Sequence, residues 1–178
     1  MFAMKMFNTK KLWKAVSLGL CGAALTVMLA GCGADNSSSA DKGVLKVGVT
    51  NFADTLEPTQ NFFGWVVMRY GLGECLTKFD EKMNVQPWLA ESWSISDDHT
   101  TWTFKIREGV KFSNGNPLTA DAVKASIERA FAKNNRAATF FKYKEIKAEG
   151  QTLTIVTEKP MPNMPGFLAD PLFIIVDT

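Results

Sequence analysis

Three kinds of side chain in this sequence carry chemistry worth testing: a cation suited to a carboxylate, a single histidine and a thiol. Arg136 stands in Lys133-Asn134-Asn135-Arg136, just past an amphipathic stretch. Its planar guanidinium is charge-suited to a carboxylate, with a solvated loop arginine as the competing reading. His99 lies in Asp97-Asp98-His99-Thr100, and Cys75 in Gly73-Glu74-Cys75-Leu76. A thiol and an imidazole could form a nucleophile and its base. Here, however, the histidine falls in a turn by composition and the cysteine in a predicted strand, with no oxyanion loop beside either. Zinc spacing, phosphate loop and serine elbow are all missing from the sequence. The chain is therefore read as a non-enzyme with no cofactor.

These residues need a scaffold, and the first 43 positions do not supply it. Met1 to Lys14 carries Lys5, Lys10, Lys11 and Lys14 without an acid, and Ala15 to Ala30 is almost wholly apolar. That is the layout of a secretory leader. A spanning helix, the alternative, would want about 20 apolar residues and a charged stop. The quartet Leu29-Ala30-Gly31-Cys32 resembles the lipobox of bacterial lipoproteins. The resemblance implies cleavage before Cys32 and a diacylglycerol thioether on its sulfur, so residues 1–31 are read as a lipoprotein signal peptide. Residues 32–43, Ser-rich and too polar to bury a core, are read as a flexible tether.

Removing the leader changes the charge balance. Four of the 20 basic residues go with it, so the remainder carries 16 against 18 acids, a formal −2. A basic isoelectric point is thus no argument for nucleic acid, and none is expected as a partner. With Cys21 in the leader and Cys32 lipidated, Cys75 is left without a disulfide mate. The 147 residues from Cys32 onward suffice for one ordinary domain and contain no solenoid repeat.

Periodicity places the elements. Val44 to Thr50 reads as a strand, Phe62 to Tyr70 as a helix, and Glu74 to Phe79 as a strand. Trp102, Phe104 and Ile106 alternate with Thr101, Thr103 and Lys105, which predicts a half-buried strand paired with Ser92 to Ser96 through an Asp97-Asp98 turn. Thr119 is a good N-cap, Asp121 suits the first helical turn, and Val123, Ile127, Ala130 and Phe131 share one helical face. Ile146 to Ala148 and Leu153 to Val156 predict a second hairpin. Pro171 to Val176, continuously apolar, predicts a fully buried strand at the C-terminal end of a chain read as a fragment.

Leu56-Glu57-Pro58, Gly73-Glu74-Cys75-Leu76, Gln86 to Trp93 (QPWLAESW) and above all Thr101 to Ala122 (TWTFKIREGVKFSNGNPLTADA) resemble the N-terminal signature of the family 5 extracellular solute-binding proteins of ABC importers. The resemblance implies an α/β, periplasmic-binding-protein-like fold of type II with an extra α+β domain, here incomplete. Residues 44–60 would begin lobe I, 61–165 form the extra domain, and 166–178 return to lobe I; the second lobe would be missing. It further implies capture of a peptide, nickel or a metal chelate in a cleft between hinged lobes, and delivery to a permease and ATPase complex. A single lobe is expected to bind a solute poorly. Gly64 to Glu74 (GWVVMRYGLGE) is closest in character to nickel or opine-chelate members.

The resemblance also assigns candidate ligand contacts. In nickel-binding members an arginine near Arg136 meets the chelate's carboxylates. Asn51 and Phe52 end the first strand of lobe I, where ligands of open α/β sheets collect, although Phe52 is equally suited to packing. Arg69, with Phe63, Trp65 and Met68, could line the cleft or the core. Trp88, Trp93 and Trp102 are read as structural. The location implied is the outer side of the cytoplasmic membrane, periplasmic or extracellular, held by the lipid on Cys32. The alternative is a lipid-anchored interaction or signalling module on the same scaffold, without transport.

Overall fold

In the computed structural model, residues 48–50 and 54–178 are described. Cys32, Asn51, Phe52, the signal peptide, the tether and residues 44–47 of the first expected strand lie outside them. Val49–Thr178 forms one compact unit. Its elements are α1 (Phe63–Arg69), β1 (Thr77–Phe79), β2 (Val85–Pro87), β3 (Ala90–Ile95), β4 (Thr101–Ile106), α2 (Ala120–Lys133), α3 (Ala137–Phe140), β5 (Tyr143–Glu149), β6 (Thr152–Thr157), α4 (Met164–Phe167) and a 3₁₀ turn (Pro171–Phe173). Among the described residues no helix is long and apolar enough to cross a membrane.

α2 begins where its sequence signals place it. Thr119 is extended, and its hydroxyl oxygen accepts the Ala122 N–H at 3.2 Å, satisfying one of the donors a helix start leaves orphaned. Asp121 lies in the first turn and Lys133 in the last, both on the favourable side of the helix dipole. Val123, Ile127 and Ala130 are buried, while Phe131 is half-buried against the same core.

That face packs on a four-stranded antiparallel sheet of order β3-β4-β6-β5. The alternation read in the sequence is the alternation found: Trp102, Phe104 and Ile106 are buried, and opposite them on β6 lie Ile155 for Trp102 and Leu153 for Phe104. Both expected hairpins form. The first turns at Asp97-Asp98, where the Asp98 carboxylate accepts from Ser96, Thr100 and the Thr100 N–H. The second turns at Gly150-Gln151, with Gly150 at φ +60°, a conformation glycine adopts without a Cβ clash.

Two expected strands are corrected. Between Glu74 and Phe79 only Thr77–Phe79 enters a ladder, paired with Val85–Pro87. Pro171 to Ile175 is buried as expected and Val176 half-buried, but the segment forms no strand. Asp170 accepts the Leu172 N–H on its carboxylate at 2.9 Å and Pro171 starts the turn, so Pro171–Phe173 coils as 3₁₀. The segment beyond it satisfies its polar groups without a sheet. Ile175 N–H donates to the Glu74 carbonyl at 2.9 Å, Val176 N–H to Ser126 Oγ at 2.9 Å, and the Ser126 hydroxyl to the Ile174 carbonyl at 3.4 Å. Gly48 to Thr50, the described end of the first expected strand, carries no strand either.

Phe173, 1% exposed, is the centre of an aromatic cluster. Its ring centre lies 5.6 Å from those of Phe140 and Phe141 and 6.0 Å from that of Phe131; Phe131 in turn meets Tyr143 edge-on at 4.9 Å. The cluster joins α2, α3, β5 and the 3₁₀ turn. α1 approaches the same turn so closely that a Cβ on Gly64 would stand 2.5 Å from the Pro171 carbonyl oxygen, a position only glycine fits.

The segment before α1 is clamped to α2 by charge. Arg129 forms a two-pronged ion pair with Glu57, Nη1 to Oε1 at 3.0 Å and Nη2 to Oε2. Thr59 donates to the same carboxylate from its hydroxyl at 2.5 Å and its N–H at 3.0 Å. The Arg129 hydrogen bonds, aided by those of Thr59 and opposed by partial burial, hold the Glu57 carboxyl down at about 2.

Two outcomes are expected from this packing. Phe173→Ala, which empties the middle of the ring cluster, is expected to lower unfolding free energy by about 3–5 kcal/mol in a urea titration with unchanged slope. Because the folded Glu57 pKa lies below its ordinary value of 4.5, its contribution is fully present above that value and is lost as pH falls towards 2. Arg129→Met is therefore expected to destabilise the protein clearly at pH 6 and much less at pH 2, measured by denaturation at both pH values.

Candidate functional site

The chain leaves α2 through a side-chain bracket that aims Arg136. Asn134 caps the helix with its N–H on the Ala130 carbonyl. Its side chain works in both directions, Nδ2 donating to the Thr59 carbonyl at 2.8 Å and Oδ1 accepting the Arg136 N–H at 2.9 Å. Arg136 then adopts helical angles and opens α3. The short range of the bracket explains why an Asn-Asn-Arg sequence folds into a sharp corner here.

The Arg136 guanidinium has three neighbours. Its central carbon lies 4.9 Å from the ring centre of Phe140 and 5.7 Å from that of Phe62, and Nη2 donates to Asp170 Oδ2 at 2.8 Å. The Arg136 side chain is 32% exposed and that of Asp170 is 13% exposed. The arginine is therefore neither a solvated loop residue nor a fully buried structural ion, but a half-covered cation with one edge engaged.

An open apolar face adjoins it. Phe62 is 68% exposed and Trp65 45%, and with the exposed Arg69 they are spaced three and four residues apart along α1. The opposite side of α1, Gly64 and Val67, is buried. Of the residues expected to line a cleft, Trp65 and Arg69 are thus on the open side, while Phe63 and Met68 are half-buried. Arg69 makes no ion pair among the described residues. Two open cavities of about 500 Å³ lie elsewhere in the unit, one lined by Gly71–Glu74, Val110–Asn114 and Ile175–Asp177, the other by Phe79, Trp93, Trp102 and Phe167. Neither is lined by Arg136.

The thiol and the imidazole have other duties. Cys75 is wholly buried with Val67 and Ile174, and its S–H points to the Asp170 carbonyl at 3.4 Å. Burial, reinforced by the negative charges of Asp170 and Glu74, pushes the thiol far up from its ordinary value, so it is no nucleophile at neutral pH. His99 is an exposed turn residue at φ +57° whose carbonyl accepts the Met161 N–H at 2.8 Å. Trp102 donates from its indole to the Met161 carbonyl at 2.8 Å, a structural part as expected.

Sequence reasoning named Arg136 and Arg69 as candidates but passed over Asp170, Phe62 and Phe140, the neighbours of Arg136. A signal for Asp170 was present: Asp directly before Pro is the pattern of a cap and a first helical residue. It was masked by the continuous apolar run immediately after it.

Comparison with known proteins agrees with this architecture. Residues 84–178 match the family described as bacterial extracellular solute-binding proteins, family 5 Middle. The nickel-binding protein NikA of Staphylococcus aureus (strain NCTC 8325 / PS 47) is 30% identical over 152 residues, which is 85% of this chain and 30% of that protein. The glutathione-binding protein GsiB of Escherichia coli O1:K1 / APEC is 33% identical over 162 residues, 88% of this chain and again 30% of the relative. The crystal structure of a nickel ABC transporter from Bacillus halodurans matches with a TM-score of 0.65 at 40% identity, over 69% of this chain and 26% of that one. The chain thus spans about 30% of the length of these curated relatives. With its mixed helices and sheet matched by a solved member and more than half its residues matched by the family itself, the chain belongs to the family 5 bacterial extracellular solute-binding proteins.

Proposed function

We propose that this chain is the ligand-receiving front part of a solute receptor for an ABC importer, and that its solute is a small carboxylate-bearing metal chelate. The observation that carries the reading is the half-covered Arg136 guanidinium beside the rings of Phe62 and Phe140. A carboxylate approaching it gains charge-assisted hydrogen bonds at a site already partly shielded from water. Arg69 adds a second cation, and Trp65 offers a flat apolar wall to the organic part of a chelate. Nickel is the favoured metal, because the NikA relative is named for binding it and because imidazole and carboxylate chelates suit Ni²⁺.

In this reading residues 44–60 begin lobe I of a type II binding fold, 61–165 form its extra α+β domain, and 166–178 lead back to lobe I. Asn51 and Phe52 are the contacts that this opening segment would offer the ligand. The lipid on Cys32 and the tether of residues 32–43 hold the receptor on the outer side of the cytoplasmic membrane. There it hands its solute to the permease and ATPase complex. The metal arrives inside its chelate as cargo, and no residue of this chain needs to ligate it.

Calorimetric titration of the complete gene product with a nickel(II)–histidine chelate tests the reading, with glutathione as the competing solute. Saturable binding is expected, weakened roughly 10- to 100-fold by Arg136→Ala, as removal of a charged hydrogen-bonding partner costs. Tighter binding of glutathione would move the solute class to peptides. Equal chelate binding by the wild type and Arg136→Ala would remove Arg136 from the site.

A further inference from the structure

We propose that Asp170 is the positioning residue for ligand capture: it fixes the Arg136 guanidinium by one edge so that the remaining donors stand ready for the solute's carboxylate. The inference rests on the reading of Arg136 as the ligand-receiving group.

The contact between the two is single-pronged. Asp170 Oδ2 takes only Nη2, at 2.8 Å, because Oδ1 is turned to the Leu172 N–H at 2.9 Å. Among the described residues Nε and Nη1 of Arg136 make no hydrogen bond. A guanidinium offers five N–H groups, and a carboxylate in a fork arrangement needs two of them. The pair thus leaves a receiving edge, whereas a two-pronged pair such as Arg129 with Glu57 uses the edge up.

Asp170 is also unable to follow the arginine. Its side chain caps the 3₁₀ turn, its carbonyl accepts the Cys75 thiol, and its next neighbour is Pro171, which lies against Gly64 of α1. The carboxylate is thereby tied to the packed segment that carries Phe173. Phe140 and Phe62 lie 4.9 and 5.7 Å from the guanidinium, measured to the ring centres, and ring contacts of this kind carry little direction. Among the described residues Asp170 is the one hydrogen-bond acceptor of the Arg136 side chain. Arginine carries large rotamer freedom, so fixing it beforehand removes an ordering cost that the solute would otherwise meet on binding. Pairing also prevents the half-covered cation from standing uncompensated in the empty receptor.

Asp170→Asn separates the two duties, since an amide oxygen still accepts the Leu172 N–H while the carboxylate oxygen that held Arg136 Nη2 is replaced by an NH₂ donor. The probe is the nickel(II)–histidine chelate, titrated into the complete gene product and its variants, with melting temperatures measured alongside. Asp170→Asn is expected to melt near the wild type yet bind the chelate about three- to tenfold more weakly, whereas Asp170→Ala loses binding and stability together. In an Arg136→Ala background the Asn substitution is expected to change affinity by less than about twofold, because its effect travels through the arginine. NMR of the Arg136 Nε–H in the solute-free protein is expected to show a rigid side chain in the wild type and a mobile one in Asp170→Asn. Wild-type affinity and unchanged Nε–H order in Asp170→Asn, with Arg136→Ala still defective, would overturn the positioning role and leave Asp170 as a cap alone. Undiminished binding by Arg136→Ala would overturn the functional reading of the site, and the positioning role with it.

Discussion

Burial of the segment Pro171–Ile175 against α1 and α2 is the constraint on which the rest of this unit depends. The segment has no strand partner among the described residues, so its backbone groups must be met individually, by Glu74, by Ser126 and by the Asp170 side chain. Once it is seated, Phe173 fills the space between α2, α3 and β5, and Ile174 closes a second small core with Val67 and Cys75. Gly64 and Gly73 permit the approach: a Cβ on Gly64 would meet the Pro171 carbonyl, and one on Gly73 would stand 2.7 Å from the Ile174 side chain. Apolar burial supplies the driving force, and the few polar contacts decide the path the chain takes through it.

The candidate site is a by-product of that packing. Asp170 is immobile because it begins the buried segment, Phe140 is in place because its ring packs on Phe173, and Arg136 is aimed because Asn134 brackets the corner after α2. The Glu57–Arg129 clamp brings the segment before α1 to the same corner, and Asn134 fastens it there through the Thr59 carbonyl. Two arginines on adjoining turns thus end in opposite conditions. Arg129 has both prongs occupied by Glu57 and serves as a structural tie, while Arg136 keeps donors open.

Local elements were legible in advance. The Thr119 cap, the buried stripe of α2, the alternation of Thr101–Ile106 and both hairpin turns each depend on residues within a few positions of one another, and each stands as read. The last apolar run was misread because full burial leaves the same mark on a sequence whether backbone groups are satisfied by a ladder or one by one. The pairing of Arg136 with Asp170 joins residues 34 positions apart across that misread segment, so no local pattern announced it.

The sequence by itself determined the family resemblance, the helices at Phe63–Arg69 and Ala120–Lys133, both hairpins, and which cation was worth watching. These stem from composition, periodicity and motif spacing, all of which act over short stretches of chain. Only the tertiary structure decided that Arg136 is half-covered and held by one edge, that the Cys75 thiol is shut away, and that Phe62 and Trp65 remain open to solvent. Exposure, ion pairing and thiol acidity are properties of an environment. That environment is assembled from segments distant in sequence, packed around the buried Pro171–Ile175 segment.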